Sequence, residues 1–197
     1  ISTCPRVLLL DEPLVGLAAQ ERERIIGLVK SLSKYIAVLL IEHDIDRVFE
    51  FSDYITVMNA GNVLVSGTSD EIRTNKQVQI AYLGSGKALI TNQSNLEHNV
   101  DPSKVKLELK NIDTFYGKSH ILNNVSLDVS KGEVVALLGR NGAGKSSTLK
   151  SIMGIAPISK GKILFNGREI QNMMPEQIAR AGVGLVPQGR RLFSNLT

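Results

Sequence analysis

A glycine-rich loop behind a short apolar run constrains this chain more than any other feature. Residues 134–138 are uniformly apolar, and the next eight residues read Gly139-Arg140-Asn141-Gly142-Ala143-Gly144-Lys145-Ser146. Two glycines with four residues between them, followed by Lys and Ser, form the phosphate-loop pattern. The apolar run predicts a strand, and residues 147–153 predict a helix. The loop therefore lies where a mostly parallel α/β sheet binds its ligand.

The residue types of this loop fit the phosphates of a nucleoside triphosphate. Its glycines allow successive backbone N–H groups to turn inward around an anion, and Lys145 can reach the terminal phosphates. The Ser146 hydroxyl is a suitable ligand for Mg2+. We expect the nucleotide to contact the loop residues Gly139, Asn141, Gly142, Ala143, Gly144, Lys145, Ser146 and Ser147.

Two acidic residues and a histidine follow apolar strands in the first half of the chain. Asp11 and Glu12 come after the run 7–10, and His43 comes after the run 36–41. One carboxylate at such a position can hold Mg2+ through water while the other polarises an attacking water. Alone, the acid pair could be an acidic turn and the histidine a structural residue. The phosphate loop favours a catalytic edge, to which neighbouring parallel strands would bring all three.

The remaining pattern alternates strands and helices around one polar stretch. In the first half we predict strands at 6–10, 36–41, 54–58 and 63–65 and helices at 20–34, 45–51 and from 68 to about 84. In the second half we predict strands at 106–109, 121–129, 133–138, 162–166 and 183–187 and a helix at 176–181. Residues 85–104, with Gly, Ser, Asn and Pro and little periodicity, form the only predicted linker.

Taken together, these motifs resemble the ATP-binding cassettes of ABC transporters. Residues 7–13 are similar to the Walker B strand, with Glu12 as its catalytic glutamate, and residues 139–146 are similar to the Walker A loop. His43 resembles the switch histidine. Tyr116 resembles the aromatic residue that stacks on adenine.

Gln188 completes the resemblance, because it matches the Q-loop residue that senses Mg2+ and the membrane partner. The resemblance therefore implies ATP as the nucleotide. It also implies catalytic roles for Glu12, His43 and Gln188, and it places Ser146, Asp11 and Gln188 around Mg2+.

The order of the motifs is unusual, since the Walker B strand precedes the phosphate loop by more than a hundred residues. Residues 58–84 are similar to the end of one ATPase subunit of branched-chain amino-acid uptake systems, and residues 139–154 to the start of its sister subunit. The chain also opens on Ile1 rather than Met. We expect an internal part of a fusion in permuted order: residues 1–84 from a first cassette, a linker at 85–104, and residues 105–197 from a second cassette.

The fold class implied is α/β, a P-loop core with a mostly parallel sheet and an antiparallel β subdomain. Apolar parallel strands without neighbours would expose both edges and faces, so we expect the two partial cassettes to pair in one sheet. Asp11, Glu12 and His43 should then face Lys145 and Ser146 across one cleft.

The resemblance also implies partners: the transmembrane permease subunits of an importer for branched-chain or related amino acids, at the cytoplasmic face of the membrane. Two departures matter. Ala18 stands where the D-loop usually has Asp or Asn, and no LSGGQ-like signature occurs in the 197 residues. We expect a second cassette to supply the signature, and the isolated chain to bind ATP with little or no turnover.

Two other function classes stay open at this point, a soluble tandem-cassette ATPase acting on ribosomes or nucleic acid and a binding module without turnover. Resemblance to the ribosome-associated type would imply a long, charged, helical linker between the cassettes. Residues 85–104 are short and nearly neutral instead. Residues 105–197 carry 13 Lys and Arg against 6 Asp and Glu. Aromatic residues are only 5% of the chain, so platforms for stacking bases are scarce and we expect no nucleic-acid partner.

Overall fold

The computed structural model describes residues 4–83, 94–95 and 102–189. The first of these ranges contains β1 (Val7–Asp11), α1 (Ala19–Ser33), β2 (Ala37–Glu42), α2 (Ile45–Phe51), β3 (Tyr54–Asn59), β4 (Asn62–Gly67), α3 (Ser69–Thr74) and α4 (Lys76–Leu83). The others contain β5 (Ser94–Asn95), a 3-10 turn (Pro102–Lys104), β6 (Val105–Tyr116), β7 (Ser119–Ser130), β8 (Val134–Gly139), α5 (Lys145–Ile152), β9 (Ile158–Phe165), β10 (Arg168–Glu169), α6 (Pro175–Ala181) and β11 (Val183–Val186).

Strands from both halves of the chain interleave in the larger sheet, whose order is β11-β1-β2-β8-β3-β4-β5. The phosphate-loop strand β8 lies between β2 and β3 and runs parallel to both. Strand β11 pairs in parallel with β1. The prediction that strands from the two halves of the chain share one sheet is therefore confirmed. The carboxyl ends of β1, β2 and β8 meet at one edge.

The smaller sheet is antiparallel, with the order β10-β9-β6-β7. Sequence patterns predicted only residues 106–109 of β6, but the strand continues to Tyr116. Its register shifts around Asn111, which has a φ of 50° and donates a side-chain hydrogen bond to Asn124. This bulge breaks the apolar alternation, which is why the rest of the strand was missed.

Alternate residues of the central strands pack on opposite faces of the larger sheet. Leu9, Leu39 and Leu137 face the antiparallel sheet and form one core with its inward side chains. Val38 and Leu40 face the other way and pack with residues of α1, α2 and α3. A strand with helices or a second sheet on both faces must be apolar throughout, as β2 and β8 nearly are.

Local capping signals fix the ends of the short helices. Asp44 caps α2 by accepting a hydrogen bond from the Arg47 N–H, and Thr68 and Glu71 form the predicted capping box of α3. The single helix predicted from residue 68 is in fact two, because Asn75 ends α3 with an extended conformation and accepts hydrogen bonds at the start of α4. No helix within the described residues is long and apolar enough to cross a bilayer.

The predicted linker, residues 85–104, lies mostly outside the described residues. The parts that are described are not featureless, since β5 pairs in parallel with β4 and Pro102–Lys104 forms a 3-10 turn. The division into domains at residues 84 and 105 stays a prediction.

Candidate nucleotide-binding site

The glycine-rich loop turns sharply between β8 and α5. The Ala143 N–H donates to the Arg140 carbonyl at 3.0 Å, and Gly142 and Gly144 adopt left-handed conformations with φ of 83° and 105°. The φ of Gly144 disfavours any residue with a Cβ, and a Cβ there would also lie 2.8 Å from a side-chain carbon of Leu122. The loop therefore presents backbone N–H groups at the start of α5, the arrangement that binds phosphate.

Lys145 is the first residue of α5 and is 5% exposed. Its Nζ donates to the Gly139 carbonyl at 2.7 Å and to the Arg140 carbonyl at 3.3 Å. Burial lowers the pKa of the Lys145 ammonium, while the carboxylates of Glu12 and Asp11 act in the opposite direction. A buried ammonium held by two carbonyls of the loop is well placed for a polyanion.

The acidic pair meets the loop at the end of β1. The Ser146 hydroxyl donates to Asp11 Oδ1 at 3.3 Å, although the two residues are 135 positions apart. Burial raises the pKa of the Asp11 carboxyl; the hydrogen bond from Ser146 opposes that rise. A hydroxyl and a carboxylate in contact beside a phosphate loop are the ligand types Mg2+ takes in nucleotide sites.

Glu12 occupies a turn just past β1 with φ of 49°. Its N–H donates to the Ile41 carbonyl at 3.1 Å, which anchors the turn to β2. One carboxylate oxygen accepts a hydrogen bond from the Gln188 amide, and the other lies 3.7 Å from His43 Nδ1. The left-handed backbone is uncommon for a residue with a Cβ, and such conformations concentrate at functional sites.

One end of the cleft is formed by the antiparallel sheet. Tyr116, 44% exposed, ends β6, and Ile121 lies on the neighbouring strand β7; both line the cleft. Just outside them, the Phe115 and His120 rings stack with centroids 4.2 Å apart. An exposed aromatic ring beside an aliphatic side chain is a surface on which a base can stack.

One cleft of about 480 Å³ collects most of the residues predicted from the sequence: Glu12, His43, Tyr116, Asn141, Gly142, Ala143, Gly144, Lys145, Ser146, Ser147 and Gln188. Asp11 contacts Ser146 at its wall, and Gly139 lines an adjoining cavity. The described residues hold no group of three or more His, Cys, Asp or Glu side chains able to bind a metal. Mg2+ would therefore need phosphate oxygens in addition to Ser146, Asp11 and Gln188.

Comparison with known proteins agrees with this geometry. A model of the ABC transporter family matches residues 122–197. The xylose import ATP-binding protein XylG of Thermoanaerobacter pseudethanolicus is 29% identical over 100% of this chain and 39% of its own length. Residues 122–197 therefore resemble an ABC transporter domain, and the chain as a whole is similar to ABC import ATP-binding proteins. As expected for such a domain, the fold is α/β with parallel and antiparallel sheets.

Two further ABC relatives resemble the chain to different extents. The ribose import ATP-binding protein RbsA of Rhodococcus jostii is 29% identical over 97% of this chain and 36% of its own length. The high-affinity branched-chain amino acid transport ATP-binding protein BraG of Pseudomonas aeruginosa is 42% identical, but over 46% of this chain and 39% of its own length. The chain thus spans well under half the length of these curated ABC proteins.

Two contacts around this cleft were not predicted from the sequence. The first is Glu42, a carboxylate only 2% exposed at the end of β2, which accepts the Leu14 N–H at 3.3 Å. Burial raises the pKa of its carboxyl. Together with the bond from Glu12 to Ile41, this contact fixes both sides of the turn that carries Glu12. A charged residue next to a histidine at a strand end gave no signal that it is buried.

The second unpredicted contact is the β3–β4 turn, which bridges the phosphate loop and β7. The Gly61 N–H donates to the Ala143 carbonyl at 3.0 Å, and the Gly61 carbonyl accepts a hydrogen bond from the Asn123 N–H at 2.9 Å. A Cβ at Gly61 would lie 2.3 Å from the Ile121 carbonyl oxygen. The glycine signalled the turn itself, but nothing local indicated what the turn would contact.

Proposed function

We propose that the chain binds ATP with Mg2+ in this cleft, as the ATP-binding part of an ABC importer. The observation that carries the proposal is the Ser146–Asp11 hydrogen bond. It joins the phosphate loop to the acidic strand end, so that the two elements required for phosphoryl chemistry share one site. Mg2+, when bound there, would neutralise charge on the phosphate oxygens.

Each residue has a distinct role in this proposal. The loop N–H groups and Lys145 bind the phosphates, and Ser146 and Asp11 hold the metal with Gln188 beside it. Glu12 positions and polarises the attacking water, because its carboxylate is the acidic group facing the open cleft next to the phosphate end. His43, which lies against Glu12, contacts the terminal phosphate. Tyr116 stacks on the base.

Turnover in this proposal needs a second cassette that supplies the signature loop, since closure over the terminal phosphate requires donors this chain lacks. Permease subunits are the other partners, which places the protein at the cytoplasmic face of the membrane, attached peripherally. We expect no nucleic-acid partner.

For the cargo we propose branched-chain or related amino acids, supported by the 42% identity to BraG. Sugar import is the second candidate, because XylG and RbsA align over nearly the whole chain at lower identity. Uptake of labelled leucine and labelled xylose by cells with and without the intact gene separates the two. Loss of xylose uptake alone would reject the amino-acid proposal.

ATP binding is tested by calorimetry on Lys145→Ala. Removing a charged donor to phosphate should weaken ATP binding by about 1.5–3 kcal/mol, roughly 10- to 150-fold. Lys131→Ala, which removes an exposed lysine of the β7–β8 turn, is the matched control and should bind normally. Equal affinities in both variants and the unmodified chain would refute the assignment of the phosphate loop.

A further inference from the structure

Asn141 and Gly142, at the tip of the phosphate loop, form one of two Asn-Gly pairs in the sequence; the other is Asn166-Gly167. In an Asn-Gly pair the backbone nitrogen of glycine can attack the side-chain amide carbon of asparagine. A five-membered succinimide forms as ammonia leaves, and water then opens the ring to aspartate or isoaspartate. The reaction needs no oxidant, and glycine has no Cβ to hinder the attack.

The loop geometry leaves this pair open to the reaction. Asn141 and Gly142 are both exposed, and the turn closed by the Ala143–Arg140 hydrogen bond holds them at its tip. Among the described parts of the chain, the Gly142 N–H has no hydrogen-bond partner. Neither burial nor a backbone hydrogen bond therefore restrains the attacking nitrogen.

The reaction would place a negative charge in the loop that is proposed to bind phosphate. Asn141 lines the same cleft as Lys145 and Glu12. A carboxylate there would repel the phosphates of an incoming nucleotide, and isoaspartate would also lengthen the backbone of the loop. A bound phosphate, in contrast, would engage the free Gly142 N–H and cover the pair.

We propose that Asn141 is a spontaneous deamidation site that inactivates nucleotide binding and that bound nucleotide protects. The protection rests on the proposed ATP function, whereas the reaction of the empty loop does not. The chain would thus lose binding capacity according to the time that its site spends empty.

Asn166-Gly167 provides an internal control. It forms the β9–β10 turn, with left-handed φ of 48° and 75°, and lines neither cavity at the loop. The purified chain is incubated at mildly alkaline pH with and without Mg-ATP, and peptides are followed by mass spectrometry for the 1 Da gain that marks loss of the amide. At ATP ten times its Kd, deamidation of Asn141 should be about tenfold slower, since about one molecule in eleven is free. The rate at Asn166 should not change.

Binding is measured on the same samples by calorimetry. Asn141→Asp should lower ATP affinity about tenfold or more, whereas Asn166→Asp should stay within about twofold. In Asn141→Gln the same attack must form a six-membered ring, which closes less readily than the five-membered succinimide. After incubation without ATP this variant should therefore keep the ATP affinity that it had at the start, whereas the ATP affinity of the unmodified chain should fall.

The possible failures are distinguishable. No ATP binding to fresh protein would overturn the proposed function and the protection with it. Normal ATP binding with equal Asn141 deamidation in the two samples would overturn the protection alone. An Asn141 that stays intact in the empty protein would overturn the site.

Discussion

The two sheets contribute to the cleft in opposite ways. In the larger, mostly parallel sheet, β2 and β8 are buried along their whole length, and the one charged residue of β2 lies at its end. In the antiparallel sheet, β6 alternates buried and exposed residues, and it contributes to the cleft with an exposed ring, Tyr116. The groups proposed to bind phosphate therefore lie at the ends of the most buried strands, whereas the residue proposed to contact the base lies on a half-exposed strand.

This contrast predicts different penalties for mutation. Changes at Lys145 and Asp11 should alter stability and binding together, because Lys145 is buried, Asp11 is partly buried, and both are held by hydrogen bonds. Changes at the base end should alter binding alone. Substitutions at Leu137, Tyr116 and Asp11 test this separation of stability from binding.

Core truncation should separate the sheets most clearly. Leu137 is fully buried in β8. Leu137→Ala should lower the unfolding free energy by about 3–4 kcal/mol, because it leaves a cavity. Leu164, half-buried on the outer side of β9, should cost less than about 1 kcal/mol as Leu164→Ala. Denaturant unfolding measures both variants. Similar losses would show that the outer face of the antiparallel sheet is as tightly packed as the core around β8.

Tyr116→Ala should weaken ATP binding by about 1–3 kcal/mol, since stacking on the base is lost. Unfolding free energy should change little, because Tyr116 is 44% exposed and lies at the end of β6 rather than in the core. Tyr116→Phe is the matched control and should bind like the unmodified chain in a fluorescence or calorimetric titration. A large stability loss in the Ala variant would break the proposed separation of binding from folding.

Asp11→Asn should stabilise the protein without nucleotide by about 0.5–2 kcal/mol at neutral pH. Burial raises the Asp11 pKa above 3.8, so the folded state holds this proton more tightly than the unfolded state. Stability from this group is therefore lost as pH rises from the usual Asp pKa through the raised one, and stays lost above it. The Asn variant should lack that part of the pH dependence in thermal unfolding.

Asp46→Asn, on the exposed side of α2, is the matched control and should change neither stability nor its pH dependence. If Asp11→Asn were instead less stable at neutral pH, the Ser146 contact would outweigh the cost of burying the charge. With Mg-ATP the order should reverse, because the variant loses a metal ligand.

The sequence was enough to predict the parallel sheet and most of the cleft. Continuous apolar strands can be buried only between two layers, and the positions of Asp11, His43 and Lys145 at strand ends then follow from topology. Interleaving of the halves followed from the cost of unpaired strands. These inferences use patterns that extend over several residues, which is why they succeeded.

Contacts that depend on single atoms were not predictable in this way. The burial of Glu42 depends on where the Leu14 N–H points after an unusual turn at Glu12, and no local pattern specifies that turn. The extension of β6 past Asn111 depends on a bulge. The asparagines with positive φ in this bulge are typical of loops, so the sequence pattern predicted that the strand ends there. Tertiary contacts override local signals at such positions.

The position of β8 between β2 and β3 has a consequence for how the chain folds. Strands β2 and β3 do not pair with each other, because β8 lies between them. The end of β8 comes about eighty residues after the end of β3 in the sequence. Pairing of high sequence separation is slow to form. Until β8 inserts, two strands dominated by apolar side chains present unpaired edges, the state in which chains aggregate. During synthesis, β8, the strand that leads into the phosphate loop, is therefore also the last strand needed to complete the middle of the sheet.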